Sequence, residues 1–384
     1  MKKLTGLSVL IVAVLIGCQK EDSSPSDVVK ATSGPTLPDT PFDYANLGAV
    51  QREQNDILFL QDNHPDTNAI TPWGATLGRV LFYDKLLSKN NSISCASCHI
   101  QEFGFSDTAQ FSKGFENERT GRHSMRLINS RFYASNRFFW DDRAASLEEQ
   151  VVTPIQDHVE MGMDLDSLLG LLTATPYYTV LFEKAFPNEG ITKGTLAKAL
   201  AQFVRSISSN NTRFQDGLDI HQDPKTPFNN FTSVENLGKE IFFNHPTFTC
   251  AGCHFTRGFV VDIPRNNGVR SSLNGEPDLG AQATYLDPRF KGAFKAPSLI
   301  NVAISPPYMH DGSLVSLEEV IEHYSTGLNN EDGRLDPHLI DHDNDGEALK
   351  LNLSETEKEA LIAFLGTLTD DVTLHHEAFS NPFN

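Results

Sequence analysis

Cysteine and histidine residues occur together in two short motifs of this 384-residue chain, Cys95-Ala96-Ser97-Cys98-His99 and Cys250-Ala251-Gly252-Cys253-His254. In a CxxCH pattern, both thiols can add to the vinyl groups of one haem while the adjacent histidine ligates its iron. Two complete copies favour haem over the alternatives, a zinc site or a redox-active thiol pair. The motifs therefore predict two covalently bound haem c groups, with His99 and His254 as proximal iron ligands.

The segments that precede the two motifs resemble each other, which indicates an internal repeat. Residues 77–84 read LGRVLFYD and residues 237–244 read LGKEIFFN. We expect two copies of one helical haem-binding unit, an N-terminal domain at residues 47–220 and a C-terminal domain at residues 221–384.

Helix signals dominate the folded part, and alternating strand patterns are scarce. Ser146 begins a capping box whose helix Pro154 would end, and Ser316 and Ser354 begin similar boxes further along. The predicted fold class is all-α, with two cytochrome c-like haem domains related by the internal repeat.

The N-terminus has the pattern of an exported lipoprotein. Lys2 and Lys3 precede an apolar run that ends at Cys18 in a sequence resembling a bacterial lipobox. We expect a signal peptide at residues 1–17 and a lipidated flexible tether at residues 18–46, rich in Ser and Pro. Of the five cysteines, one would then carry lipid and four would carry haem, which leaves none for a disulfide.

The formal net charge of −19 makes nucleic acid an unlikely partner and would attract a basic protein, such as a small cationic cytochrome. The leader and the lipobox favour the periplasmic side of a bacterial envelope. Contact with the membrane would be made only through the lipid on Cys18.

Four longer phrases resemble the bacterial di-haem cytochrome c peroxidase family, which includes the methylamine-utilisation protein MauG. The resemblance extends from about residue 77 to residue 369. The phrases that carry it are residues 77–99, residues 138–150 (FFWDDRAASLEEQ), residues 160–162 (EMG) and residues 296–312 (APSLIN leading to PYMHDG).

By position, the resemblance implies roles for several residues that follow the first motif. Trp140 would relay electrons between the haems. Gln150, Pro154 and Glu160 would form the distal pocket of the first haem. Glu160 would be the general acid/base for the peroxide proton, and Gln150 would orient the peroxide. Pro154 would keep the open face of the iron free of a ligand, and Arg143 would neutralise a haem propionate.

The resemblance also distinguishes the two irons by their sixth ligands. In many members, a histidine caps the first iron, and it lies between the first motif and the tryptophan. Here residues 111–123 hold only His123, which aligns with a family asparagine, so we expect a five-coordinate first haem. For the second haem, many members have a methionine as the sixth ligand. Tyr324 stands at that position here, as a tyrosine does in the MauG branch, and Met309 is the rival ligand. A tyrosinate ligand would lower the reduction potential.

A calcium ion between the haem domains is a further implication of the family. Its ligands by position would be the carbonyls of Ser305 and Pro307, with His123 in place of the usual asparagine. Residues 341–346 (DHDNDG) resemble the start of a calcium loop, but Asn352 stands where the glutamate is needed, and an acidic surface turn is the favoured interpretation.

The function that these expectations favour is a di-haem peroxidase. It would reduce hydrogen peroxide at the first haem with electrons relayed from the second, supplied by a small redox protein such as a cytochrome c. One alternative is a MauG-like oxidase that acts on a protein or small molecule through a high-valent di-haem state. Another is a non-catalytic electron carrier. Family members are often homodimers, and we expect the same here.

Overall fold

A computed structural model of the chain describes residues 34–47, 62–209, 211–248, 250–254, 258–259 and 261–383. The predicted signal peptide and Cys18 lie outside these residues. Among the described helices, none combines the length and the apolar character that a membrane span requires.

The described chain is predominantly helical, as predicted. Its α-helices, in chain order, are α1 (Pro72–Tyr83), α2 (Leu147–Gln150), α3 (Thr153–Gln156), α4 (Leu165–Ala174), α5 (Pro176–Ala185), α6 (Lys193–Ser206), α7 (Arg213–His221), α8 (Ser233–Asn244), α9 (Gln282–Tyr285), α10 (Leu317–Ser325), α11 (Glu355–Gly366) and α12 (Asp371–His375).

Short antiparallel strands accompany the helices in the described residues and form three two-stranded sheets. The pairs are β1 (Val261–Arg265) with β4 (Phe294–Ala296), β2 (Ser272–Leu273) with β3 (Glu276–Pro277), and β5 (Ile340–Asp341) with β6 (Glu347–Ala348). The last hairpin contains the acidic segment 341–346, whose residues are largely exposed, in agreement with the favoured interpretation as a surface turn.

Two closely packed helix pairs position the two motifs. Helix α1 packs on α6, and helix α8 packs on α11. A Cβ at Gly78 would overlap the backbone of Ala199, and a Cβ at Gly238 would overlap the backbone of Ala360. Only glycine therefore permits these backbones to lie so close. The cysteines of each motif form a short 3-10 turn, one against α1 and the other against α8.

These parallels are local, and descent of the two units from one repeat stays a prediction. The chain from Gly34 onward forms one compact unit, and the predicted domain boundary near residue 220 also stays a prediction.

The predicted helix starts at Ser316 and Ser354 are confirmed, because each serine side chain accepts a hydrogen bond from the backbone of the first turn. The predicted stop at Pro154 is wrong. The helix that Ser146 caps ends at Gln150, and Pro154 lies in the first turn of α3. Proline is tolerated there because the first turn of a helix has no use for its missing N–H.

The predicted flexible tether at residues 18–46 is too long. The residues from Gly34 onward pack on the domain: Tyr44 is fully buried and donates a hydrogen bond from its hydroxyl to the carbonyl of Ala378 at 2.9 Å. The backbone nitrogen of Thr36 also donates to the carbonyl of Pro382 at 2.8 Å. Composition alone suggested a linker, but one buried tyrosine is enough to hold this segment in place.

Candidate functional site

The first CxxCH motif holds His99 in an orientation suited to an iron ligand. The backbone nitrogens of Cys98 and His99 donate to the carbonyl of Cys95 at 3.2 and 3.0 Å, which closes the turn. The Nδ1 atom of His99 lies 2.9 Å from the carbonyl oxygen of Phe105. Because a carbonyl only accepts, Nδ1 carries the proton and Nε2 keeps its lone pair. Burial lowers the pKa of His99, so the ring is neutral, as a metal ligand must be.

The second motif repeats this arrangement. The backbone nitrogen of His254 donates to the carbonyl of Cys250 at 3.0 Å, and its Nδ1 lies 3.1 Å from the carbonyl oxygen of Phe259. Burial lowers the pKa of His254 to about 4. Both histidines therefore present Nε2 in the form that binds iron.

Two cavities extend from these histidines, and their linings suit a porphyrin. The four cysteines of the motifs are free thiols. The first cavity, about 650 Å³, contains Cys95, Cys98 and His99, and the second, about 1150 Å³, contains Cys250, Cys253 and His254. Apolar side chains dominate the first lining, namely Phe82, Ile93, Leu127, Val151, Leu200 and Val204. The donor set and the apolar walls fit covalently attached haem c at both places.

All three residues expected in the first distal pocket line the first cavity. Gln150 lies at the end of α2, Pro154 in α3 and Glu160 in the loop that follows. The structure therefore brings these side chains together with His99. Glu160 is half-buried, and burial together with the charge of Asp157 raises its pKa to about 7, although Arg143 acts in the opposite sense.

Asp157 also organises the loop that carries Glu160. Its Oδ1 atom accepts the backbone N–H groups of Val159 at 2.8 Å and Glu160 at 3.1 Å. From the other side, the backbone nitrogen of Phe115 donates to the carbonyl of Glu160 at 2.9 Å. Our sequence reasoning missed Asp157, although an aspartate three residues before Glu160 is a local capping signal.

Trp140 lies in a wall that faces both haem cavities. It lines the second cavity together with His254, and it lines a polar extension of the first together with His99 and Glu160. The indole is buried, and its ring lies 6.4 Å from the ring of His310 in an edge-on arrangement. This is the location that a relay between two haems requires.

Both predicted candidates for the sixth ligand of the second haem line the second cavity, and one side chain contacts both. The Nδ2 atom of Asn267 lies 3.2 Å from the Sδ atom of Met309 and 3.3 Å from the hydroxyl of Tyr324. Burial raises the pKa of Tyr324 to about 12, while the hydrogen bond from Asn267 lowers it. Asn267 was not predicted, because nothing in its local sequence connects it with residues more than 40 positions away.

The surroundings of Tyr324 match those of Pro154 in the first cavity. Two turns of the same form, each closed by a β-bridge, precede α2 and α10, and each has a left-handed second residue, with φ of 67° at Phe139 and 74° at Met309. Tyr324 follows Ser316, which caps its own helix α10, by eight residues, and Pro154 follows Ser146, which caps the preceding helix α2, by the same number. Pro154, whose side chain has no atom that could bind iron, thus occupies the position that corresponds to Tyr324, whose hydroxyl could.

The expected calcium ligands gain no support from the structure. The Nδ1 atom of His123 faces the carbonyls of Ala109 and Gln110, both at 3.1 Å, and its Nε2 atom lies 3.2 Å from the hydroxyl of Ser106. No group of three acidic, histidine or cysteine side chains suited to a metal occurs among the described residues. The carbonyls of Ser305 and Pro307 as calcium ligands stay a prediction.

Arg143 lines the polar extension of the first cavity, but its guanidinium is already paired with the carboxylate of Asp141. Its Nη1 atom lies 3.0 Å from Asp141, and the group stacks over the ring of Phe139 at 3.6 Å. Its expected role at a haem propionate stays a prediction.

The helical fold and two paired CxxCH cavities define a c-type cytochrome with two haem sites. Comparison with known proteins narrows this class. The sequence profile of the family described as di-haem cytochrome c peroxidase matches residues 72–223. The methylamine utilization protein MauG of Methylorubrum extorquens is 35% identical over 314 residues, which cover 79% of this chain and 80% of that protein. The cytochrome c551 peroxidase of Nitrosomonas europaea is 27% identical and covers 79% and 83%.

Solved structures agree with these relatives. A MauG-like protein associated with microbial copper homeostasis is 31% identical, with a TM-score of 0.71 over 84% of this chain and 97% of that one. The dihaem peroxidase BthA of Burkholderia thailandensis, 20% identical, shares the fold with a TM-score of 0.65 over 82% of this chain and 91% of that one. The chain belongs to the di-haem cytochrome c peroxidase and MauG family. It is therefore an oxidoreductase of the peroxidase type that carries two covalently bound haem c groups.

Proposed function

We propose that this protein reduces hydrogen peroxide at the haem on His99, with electrons relayed from the haem on His254. The observation that carries the proposal is the shared cavity of His99, Gln150, Pro154 and Glu160. When bound, the haem would supply an iron that binds peroxide and passes electrons to it.

Glu160 moves the proton that peroxide cleavage requires. Its carboxylate accepts the proton of the inner peroxide oxygen and returns it to the outer oxygen, which leaves as one water. Two relayed electrons and two protons from the solvent then release the inner oxygen as a second water. A pKa of about 7 suits both transfers, because the group gains and loses a proton readily near neutral pH. Partial burial and the charge of Asp157 maintain this pKa. The backbone hydrogen bonds that Asp157 accepts hold the loop that carries Glu160.

The other two side chains keep the reacting face selective. The amide of Gln150 can donate to one peroxide oxygen and accept from the other, which orients the substrate. Pro154 offers no side-chain donor or ligand, so it would not compete with peroxide for the iron of a haem held by His99.

Trp140 relays electrons between the two cavities that it lines. The donor that supplies the second haem would be a small redox protein, and the net charge of −19 favours a basic one. We further propose export to the periplasm, a lipid anchor on Cys18 and a homodimer, as in the family.

Substitution of Glu160 tests the proposed chemistry. Glu160→Gln should lower the steady-state rate of peroxide reduction on the order of a hundredfold or more while both haems stay attached. Glu183→Gln removes an exposed carboxylate from α5 and should leave the rate unchanged. Undiminished turnover in Glu160→Gln, with haem content equal to the wild type, would contradict the proposed role.

A second candidate is MauG-like oxidation of another protein or of a small molecule, and Tyr324 is the observation that favours it. A tyrosine oxygen on the second iron lowers its potential, which makes that haem a poor acceptor from ordinary cytochromes. The identity of 35% to MauG supports the same candidate. Rapid return of the peroxide-treated protein to its resting absorption spectrum on addition of reduced cytochrome c favours the peroxidase. A long-lived altered spectrum favours the oxidase.

A further inference from the structure

Arg126 occupies the wall that the two haem cavities share. Its side chain lines the second cavity beside Trp140 and His254, and it also lines the polar extension of the first cavity beside His99. A charge at this place acts on both cofactor sites, because neither is separated from it by another layer of protein.

The guanidinium of Arg126 has only neutral partners among the described residues. Its Nη1 atom donates to the hydroxyl of Ser305 at 3.0 Å, and its Nη2 atom donates to the carbonyl of Ser298 at 2.8 Å. Its buried Nε atom has no hydrogen-bond partner in the described part of the chain. Burial lowers the pKa of Arg126, and of the neighbouring groups only tyrosines, Tyr308 and Tyr133, act in the opposite sense.

Three other cations in the walls of the polar extension are paired with carboxylates. Arg122 contacts Asp141 at 2.7 Å and Asp278 at 2.8 Å. Lys295 contacts Asp142 at 2.7 Å, and Arg143 contacts Asp141. Carboxylates are therefore available in this region, so a shortage of acidic residues does not explain why Arg126 has none.

A guanidinium that is partly withdrawn from water and has no counter-ion is destabilising. The remedy is an anion that arrives with the occupant of the cavities, and a haem brings two propionate carboxylates. A guanidinium offers several N–H groups to a carboxylate in one plane, and the unused Nε atom of Arg126 is such a group.

We propose that Arg126 binds a propionate carboxylate of a haem at the junction of the two cavities. The role that the sequence suggested for Arg143 thereby falls to a half-buried arginine whose Nε atom is buried and which has no carboxylate of its own. The proposal rests on the two haems of the family and not on the proposed peroxide chemistry.

The charge of Arg126 also has a consequence for electron transfer. Ferric haem carries one more positive charge than ferrous haem, so a nearby buried cation destabilises the ferric form and raises the reduction potential. The uncompensated propionate that remains without Arg126 would act in the opposite direction. The arginine therefore sets the potential of the haem that it contacts.

A redox titration of the holoprotein, followed by haem absorption, tests this inference. In Arg126→Gln the midpoint potential of at least one haem should fall by about 59 mV or more, which corresponds to a tenfold change in a one-electron reduction equilibrium. Arg126→Lys retains the charge and should retain most of the potential. Arg213→Gln removes an exposed arginine paired with Glu235 and should leave both potentials unchanged.

Unchanged potentials in Arg126→Gln would overturn the proposal. So would equal shifts in Arg126→Gln and Arg126→Lys, because the lost bonds to Ser298 and Ser305 would then be the cause. If Arg126→Gln does not incorporate haem, resonance Raman bands of the propionate bending modes decide the matter in the wild type and in Arg126→Lys. A band that shifts between these two proteins supports the contact, and identical bands exclude it.

Discussion

The indole nitrogen of Trp140 donates a hydrogen bond to the carbonyl oxygen of His123 at 2.7 Å. The backbone nitrogen of His123 in turn donates to the carbonyl of His310 at 2.8 Å. Because Trp140 is buried and its single donor is used, its ring has one preferred orientation, in the wall between the two haem cavities.

Replacement of Trp140 by phenylalanine separates the relay from the chemistry. Phe retains an aromatic ring but lacks the N–H and is harder to oxidise. Steady-state peroxide turnover should fall about tenfold or more, while a single-turnover reaction of peroxide at the first haem stays near the wild-type rate. Stopped-flow absorption measures both rates.

Trp73 provides the matched control, since it is the other of two tryptophans in the chain and packs under Lys184 at 4.1 Å, outside the linings of both haem cavities. Trp73→Phe should leave both rates unchanged. Equal turnover in Trp140→Phe and the wild type would remove Trp140 from the electron path.

The sixth ligand of the second haem can be assigned with two variants. If Tyr324 binds the iron, Tyr324→Phe should convert a low-spin ferric haem to high spin and raise its potential, because an anionic oxygen ligand is lost. Met309→Leu should then leave the spin state unchanged. Electron paramagnetic resonance reads the spin states, and the opposite pattern would make Met309 the ligand.

The pH dependence of turnover should follow the carboxyl group of Glu160. Its pKa is raised above the ordinary value to about 7 by burial and by the charge of Asp157. Since the carboxylate form accepts the first proton, activity should rise as the pH increases through about 7. In Asp157→Asn the Oδ1 acceptor for Val159 and Glu160 is retained but the charge is removed. The midpoint should therefore move to lower pH.

A profile of kcat/KM against pH gives this midpoint, because it reports the ionisations of the free enzyme. A midpoint in Asp157→Asn that equals or exceeds that of the wild type would show that another group controls the acid limb.

The sequence allowed prediction of those parts of the site that depend on local patterns. The motif residues, Trp140 and Glu160 were found because each belongs to a recognisable phrase, and the structure brings them together. Asn267 and Arg126 were missed, since their importance depends on which side chains meet across the cavity. The position of Pro154 within α3 was missed for a different reason: proline ends a helix or begins one, and composition does not distinguish the two.

Close packing at Gly78 gives a prediction for stability. The Cβ of Gly78→Ala would overlap the carbonyl of Ala199 in α6, and backbone cannot move aside as a side chain can. The free energy of unfolding should fall by about 1–3 kcal/mol or more. Gly170 lies in α4 with open space around it, so Gly170→Ala should raise stability by about 0.5–1 kcal/mol. Denaturant unfolding of the holoproteins, followed by circular dichroism, measures both, and equal stabilities would contradict this view of the helix pair.

We propose that a haem on His99 would have an open face beside Glu160, whereas a haem on His254 would have protein ligands on both faces. Electron paramagnetic resonance of the resting ferric protein tests it most directly, because spin state reports whether a sixth strong ligand is present. We expect one high-spin and one low-spin signal in equal amounts. Two low-spin signals would contradict it and would identify an electron carrier.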